Sequence, residues 1–123
     1  MRCLRAKAAV AVMVILLLSG CAHSLSEVRE FEPYYTLNST KSSQGLAKCI
    51  ELKTRAEWGD RFVVNLEEYE NNTYRVVVTY PPVSAIADIL VKPKDNGSVV
   101  EFRRRGYFYK QSEWQQIIER CAK

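Results

Sequence analysis

Apolar residues recur along the chain with three different spacings, and each spacing predicts a different kind of element. Positions 8–18 form an uninterrupted apolar run. From Ser42 or Ser43 to Trp58, apolar residues lie three and four positions apart, which is typical of an amphipathic helix ending at Gly59. Between positions 61 and 104, apolar and polar residues alternate, which is typical of strands with one buried face.

Turn signals divide the alternating region into four strands. Glu70-Asn71-Asn72 separates RFVVNLEEY from TYRVVVTY, and Pro81-Pro82 ends the second of these runs. The third run, SAIADILVK, leads through Asn96-Gly97, a strong tight-hairpin signal, into SVVEFRRR. The faces expected to point to the core are Phe62, Val64 and Leu66; Tyr74, Val76, Val78 and Tyr80; and Ala85, Ala87, Ile89 and Val91.

A second amphipathic helix is expected near the end of the chain. Ser112 and Gln115 form a capping box, and an apolar stripe follows at Trp114, Ile117, Ile118 and Cys121. The first helix carries its own stripe at Leu46, Cys49, Ile50 and Lys53. The order predicts an α+β domain: an antiparallel four-stranded meander covered on one face by an N-terminal and a C-terminal helix.

The first 20 residues have the layout of a secretory signal. Three basic residues precede the apolar run, and Ser19-Gly20 follows it. A helix needs roughly 20 apolar residues to cross a bilayer core, so this run is too short for a permanent membrane anchor.

Leu18-Ser19-Gly20-Cys21 resembles the lipobox of bacterial lipoproteins, a resemblance that covers Met1 to Ala22. It implies that residues 1–20 are removed and that Cys21 is acylated. By the sorting rule of that class, Ala22 after the cysteine implies the outer membrane. The expected organisation is therefore a signal peptide over 1–20, a lipidated tether over 21–41 and a small domain over 42–123. The alternative is an ordinary secretory signal with a coincidental cysteine.

Cys49 and Cys121 remain once the signal is removed and Cys21 is acylated. Export places them in an oxidising compartment, and both lie on the apolar faces of the predicted helices. We expect a disulfide joining the two helices, which would stabilise the domain by about 4 kcal/mol in the chain-entropy model. A metal-binding or redox pair is the alternative.

Charge and titratable residues argue against several functions. The net charge of +4 falls to +1 without the first 21 residues, so no nucleic-acid partner is expected. His23, the sole histidine, lies beside Cys21, and the adjacent Glu67 and Glu68 face opposite sides of a strand. We therefore expect no enzymatic activity, cofactor or metal. Asp88 is expected to be either a solvent-side residue of its strand or a buried functional acid.

Two aromatic segments suggest binding. Arg103, Arg104, Arg105, Tyr107 and Tyr109 could hold an anionic group or a partner, or could form a solvated sheet edge. The segment FEPYY, positions 31–35, is expected to cover the edge of the domain, with partner binding as the alternative.

The function expected from the sequence is a non-catalytic interaction or scaffold module. It would be anchored in the outer membrane, facing the periplasm, with an envelope protein as partner. The alternative is a carrier or sensor of an anionic amphiphile, such as a lipid headgroup or lipopolysaccharide, at Arg103–Tyr109.

Overall fold

The protein is an α+β fold with three helices and five strands in the part of the chain described by a computed structural model, residues 25–80, 84–104 and 111–123. In chain order the elements are α1 (Leu25–Glu30), β1 (Tyr35–Ser39), α2 (Ser43–Trp58), β2 (Val63–Tyr69), β3 (Thr73–Tyr80), β4 (Ser84–Lys94), β5 (Gly97–Arg104) and α3 (Gln111–Ala122).

The five strands form one antiparallel sheet in the order β1-β5-β4-β3-β2. The meander from β2 to β5 confirms the predicted four strands, but the predicted number is wrong because β1 pairs with β5 as a fifth. Only Tyr35 and Leu37 of β1 pack against the core, too few to show a period in the sequence.

The segment 21–41 was predicted as a tether, whereas its described part from Leu25 onward forms α1 and β1 and packs on the sheet. The segment 31–35 covers the domain's own edge, as expected. Tyr35 pairs with Phe102, and the Tyr34 ring meets the Phe102 ring edge-on at 6.2 Å.

Helices α2 and α3 cover one face of the sheet, as predicted. They are joined by the predicted Cys49–Cys121 disulfide, with the two Cα atoms 5.7 Å apart. The rings of Trp58 and Trp114 stack between the helices at 5.6 Å. The apolar core between helices and sheet contains Leu46, Ala47, Ile50, Val64, Tyr74, Val76, Val78, Ala87, Ile89, Val91, Val100, Phe102, Ile117 and Ile118.

Local signals set the ends of α2 and the hairpins. The Ser42 hydroxyl accepts a hydrogen bond from the Gly45 N–H at 3.2 Å, and the Gly59 N–H donates to the Arg55 carbonyl at 2.9 Å. The β4–β5 hairpin forms at the predicted place, with Lys94 opposite Gly97. Gly97 is needed here because a Cβ would collide with the Ser39 carbonyl of β1.

Helix α1 packs against β4 and β5 and fully buries Val28. It lies on the face opposite α2 and α3, because Arg29 contacts Asp88, whereas the neighbouring Ala87 and Ile89 belong to the core under those helices. The prediction that only one face of the sheet is covered is therefore incomplete. Within the described ranges, no helix is long and apolar enough to cross a bilayer.

Candidate functional site

The face under α1 is organised around Asp88. Its side chain is completely buried on β4, so the prediction of a solvent-side residue is wrong. Arg75 of β3 donates a hydrogen bond to Asp88 Oδ2, and Arg29 Nε of α1 lies 3.7 Å from Oδ1. Arg103 stands opposite Asp88 in the β4–β5 register. A buried carboxylate requires such partners, because an unpaired charge in the interior costs several kcal/mol.

Arg29 links α1 to the edge of the sheet. Its Nη2 donates to both carboxylate oxygens of Glu67 on β2, at 3.0 and 3.1 Å, and to the Tyr69 hydroxyl at 3.3 Å. The Tyr69 hydroxyl in turn donates to Glu67 Oε1 at 2.7 Å. The guanidinium of Arg75 lies 5.8 Å from the centre of the Tyr69 ring. One arginine on α1 therefore contacts groups from both β2 and β4.

A second acidic centre lies at Glu101 of β5. Arg103 donates to its carboxylate at 3.1 Å, and Lys92 Nζ lies 2.8 Å from the other oxygen. The Arg103 Nε also donates to the Phe31 carbonyl at 2.8 Å, which fixes the chain directly after α1. We call the full set of seven paired charges the charge cluster: Arg29, Glu67, Arg75, Asp88, Lys92, Glu101 and Arg103.

The pKa values of buried Asp88 and partly buried Glu101 are shifted in opposite directions. Burial raises the pKa of Asp88, and the charges of Arg75, Arg29 and Arg103 only partly oppose that rise. Burial also acts to raise the pKa of Glu101, but hydrogen bonds from Lys92 and Arg103 outweigh it and lower the pKa. The difference follows from solvation, because Asp88 is fully enclosed whereas 15% of the Glu101 side chain is exposed.

An open groove of about 900 Å³ adjoins the charge cluster near the β2–β3 turn. Its lining combines guanidinium, carboxylate, phenol and hydroxyl groups with one apolar side chain: Arg29, Glu68, Tyr69, Glu70, Thr73, Arg75 and Leu90. Asn71 and Asn72 adopt positive φ in the turn, a conformation that asparagine tolerates better than most residues. The groove can therefore offer both hydrogen-bond donors and hydrogen-bond acceptors beside an apolar surface.

The structure places only some of the sequence-predicted site residues. The disulfide partners Cys49 and Cys121 are joined, whereas Cys21, Arg105, Tyr107 and Tyr109 lie outside the described residues. Arg103 and Arg104 have different partners, because successive residues of a strand point to opposite faces. Arg103 belongs to the charge cluster, and the Arg104 guanidinium lies 3.9 Å from the centre of the Tyr34 ring. The two described arginines thus bind groups of the chain itself.

Sequence reasoning missed Arg29, Arg75 and Tyr69 as site residues. Arg29 lies in a stretch without sustained periodicity, and Arg75 alternates with core residues as any solvent-facing strand residue would. One signal was present, because Asp88 interrupts an otherwise apolar strand and a buried acid needs a cation nearby. Its partners are 13 and 59 positions away, too distant for local patterns to identify.

The chain matches no protein-family model, no curated protein and no solved structure in the comparisons made with them. Within the described ranges, no group of three or more histidine, cysteine or acidic side chains is placed to hold a metal ion.

Proposed function

We propose that the protein is an exported, lipid-anchored interaction domain of the bacterial cell envelope that binds a partner protein without catalysis, at the groove beside the charge cluster. The observation that carries this proposal is the groove lining, in which Arg29 and Arg75 flank Tyr69 and the apolar Leu90. Arginine and tyrosine contribute disproportionately to protein interfaces, because each combines apolar contact area with directed hydrogen bonds.

The groove arginines are held in place before any partner arrives. Glu67 binds Arg29 through two hydrogen bonds, and Asp88 binds Arg75 from its buried position. The two arginine side chains remain 28% and 21% exposed, and both line the groove, where they can still meet a ligand. Binding by side chains that are already ordered loses less conformational entropy, which favours affinity.

The proposed anchor would hold this surface close to the membrane. If Cys21 is acylated, only Ala22, His23 and Ser24 separate it from the first residue of α1. A chain extends by at most about 3.6 Å per residue, so Leu25 would lie within roughly 15 Å of the lipid attachment. Outer-membrane anchoring with the domain in the periplasm therefore implies a partner at, or reaching, the membrane surface.

The anchor and the groove are tested separately. Intact-mass measurement of the protein from native cells should give a chain that begins at Cys21 and carries acyl groups. An unmodified chain beginning at Met1 would contradict the anchor.

For the groove, a photo-crosslinking residue at Thr73 should yield a reproducible heterologous adduct in those cells. The matched control is position 52, because Leu52 is 54% exposed on α2 and lies outside the groove. Equal adducts at both positions, or none at Thr73, would contradict groove binding.

Binding of an anionic amphiphile at Arg103–Tyr109 is the less supported function. Arg103 and Arg104 already contact Glu101 and Tyr34, so a free cationic surface there would depend on Arg105, outside the described residues.

A further inference from the structure

In the part of the chain that the structure describes, strand β2 forms one outer edge of the sheet and has β3 as its only neighbouring strand. Successive residues of a strand direct their backbone N–H and C=O groups to alternate sides. The Val64 carbonyl accepts a hydrogen bond at 2.7 Å from Arg55, a residue of α2 and not of the sheet. Val64, Leu66 and Glu68 therefore direct their backbone groups to the open edge, while Asn65 and Glu67 direct theirs to β3.

This alternation restricts how a second strand can pair with the edge. An antiparallel copy of β2, related by a two-fold axis at Leu66, sets Leu66 opposite its own copy and Val64 opposite Glu68. All three outward-facing residues then meet outward-facing residues, which allows about four backbone hydrogen bonds in addition to those that the two Val64 carbonyls already accept from Arg55.

Moving the two-fold axis to residue 67 or 68 would place Glu67 or Glu68 opposite its own copy, and moving it to residue 64 would place Glu68 opposite Asp60. Like charges disfavour those registers. An axis at Asn65 would place Glu68 opposite Phe62, away from the Arg55 that binds the Val64 carbonyl.

The side chains complement each other in the register centred on Leu66. Arg55 binds the Val64 carbonyl and pairs with Glu51 at 3.3 Å, but half of its side chain stays exposed, so it would also stand beside the exposed Glu68 of the second copy. On the other face, Tyr69 of one copy lies opposite Val63 of the other. These side chains are 42% and 43% exposed, and pairing would remove both from water.

We propose that two copies of this chain pair through β2, centred on Leu66, to form a continuous ten-stranded sheet. The interface is small, so the dimer is weak and its formation depends on concentration. Pairing does not require the proposed anchor or the groove partner, although two copies anchored in one membrane would meet at a higher effective concentration.

Charge exchange tests the proposal in the full chain purified in detergent, with the dimer dissociation constant measured by analytical ultracentrifugation. Arg55→Glu and Glu68→Arg should each weaken dimerisation about tenfold. The double variant should return to within about threefold of the unmodified chain, because the pair is restored in reversed order. Recovery in the double variant also separates an interface effect from misfolding.

Cysteine pairing tests the register. Opposed Cα atoms of a hydrogen-bonded antiparallel pair lie about 5.5 Å apart, within disulfide range. Leu66→Cys should therefore give a covalent dimer under mild oxidation, whereas Glu68→Cys should not, because the two copies of position 68 lie four residues apart along the strands. A chain that stays monomeric at millimolar concentration, or equal crosslinking at 66 and 68, would overturn the proposal.

Discussion

The two faces of the sheet are both buried, but by different means. On the face under α2 and α3, burial is apolar, with the Trp58–Trp114 stack at its centre and a disulfide between the helices. On the face under α1, Val28 of a six-residue helix and Val77 of β3, opposite Asp88, are buried, and contacts between charged groups surround them. The comparison shows that a small domain can cover a second face with few apolar residues when the charged groups on it are paired.

The largest expected loss of stability lies on the face under α2 and α3. Replacing Cys49 and Cys121 together by alanine releases a link across 72 positions and should lower the free energy of unfolding by about 4 kcal/mol. Chemical denaturation of the two proteins, monitored by tryptophan fluorescence, measures the difference. A loss below about 1 kcal/mol would mean that the helices hold this face without the covalent link.

On the charged face, Arg75→Met should destabilise the protein by about 3 kcal/mol, because it leaves buried Asp88 without its main cation. Combining it with Asp88→Leu should recover most of that loss, since a buried ion pair is often replaceable by apolar residues. Thermal and denaturant unfolding measure both variants. If Arg75→Met alone leaves the free energy of unfolding unchanged, pairing of charges does not stabilise the face under α1, and the contrast between the two faces is wrong.

The pH dependence of stability distinguishes Glu101 from Asp88 on the face under α1. The pKa of Glu101 is lowered on folding, so its stabilising contribution is present above the pKa of the unfolded chain and is lost as pH falls through the folded-state value. The pKa of Asp88 is raised, so ionisation of Asp88 opposes folding, and acidification through its folded-state pKa relieves that cost.

Glu101→Gln should therefore cost about 1 kcal/mol at pH 7 and less at pH 3, because it removes charge-assisted hydrogen bonds to Lys92 and Arg103 that weaken as Glu101 is protonated. Denaturant unfolding at both pH values measures this. Glu57→Gln, at an exposed position of α2, is the matched control and should change neither value. An equal loss at pH 3 and pH 7 would indicate a packing defect instead of lost charge.

The same difference between the faces explains what could be predicted. The stripe of α3 and the alternation of β3 and β4 identify core residues directly, because the apolar face repeats with the period of each element. The alternation fails at one end of these strands. The β-bulge opposite Val78 and Thr79 puts Ile86 into the core cluster in place of the predicted Ala85. Tyr80, predicted to face the core, is 56% exposed. The error is confined to the ends of β3 and β4 next to the bulge.

The charged face was not predictable in the same way. Six residues of α1 are too few to show a helical period or to form a stable helix alone, and the short β1 resembles a linker. The contacts of Arg29 with Glu67 and Asp88 join residues 38 and 59 positions apart, which only the folded chain brings together. Local patterns therefore identified the elements of the apolar core but missed the site.

Amide hydrogen exchange in α1 tests most directly whether this second face is closed. The Phe31 N–H donates to the Val28 carbonyl at 3.2 Å, and a free helix of this length would not protect it. The amides from Arg29 to Phe31 should exchange at least tenfold more slowly than in an unfolded peptide, and Glu67→Gln should reduce that protection. Exchange at the unfolded rate in the native protein would contradict the account, because α1 would then not hold Arg29 in the charge cluster.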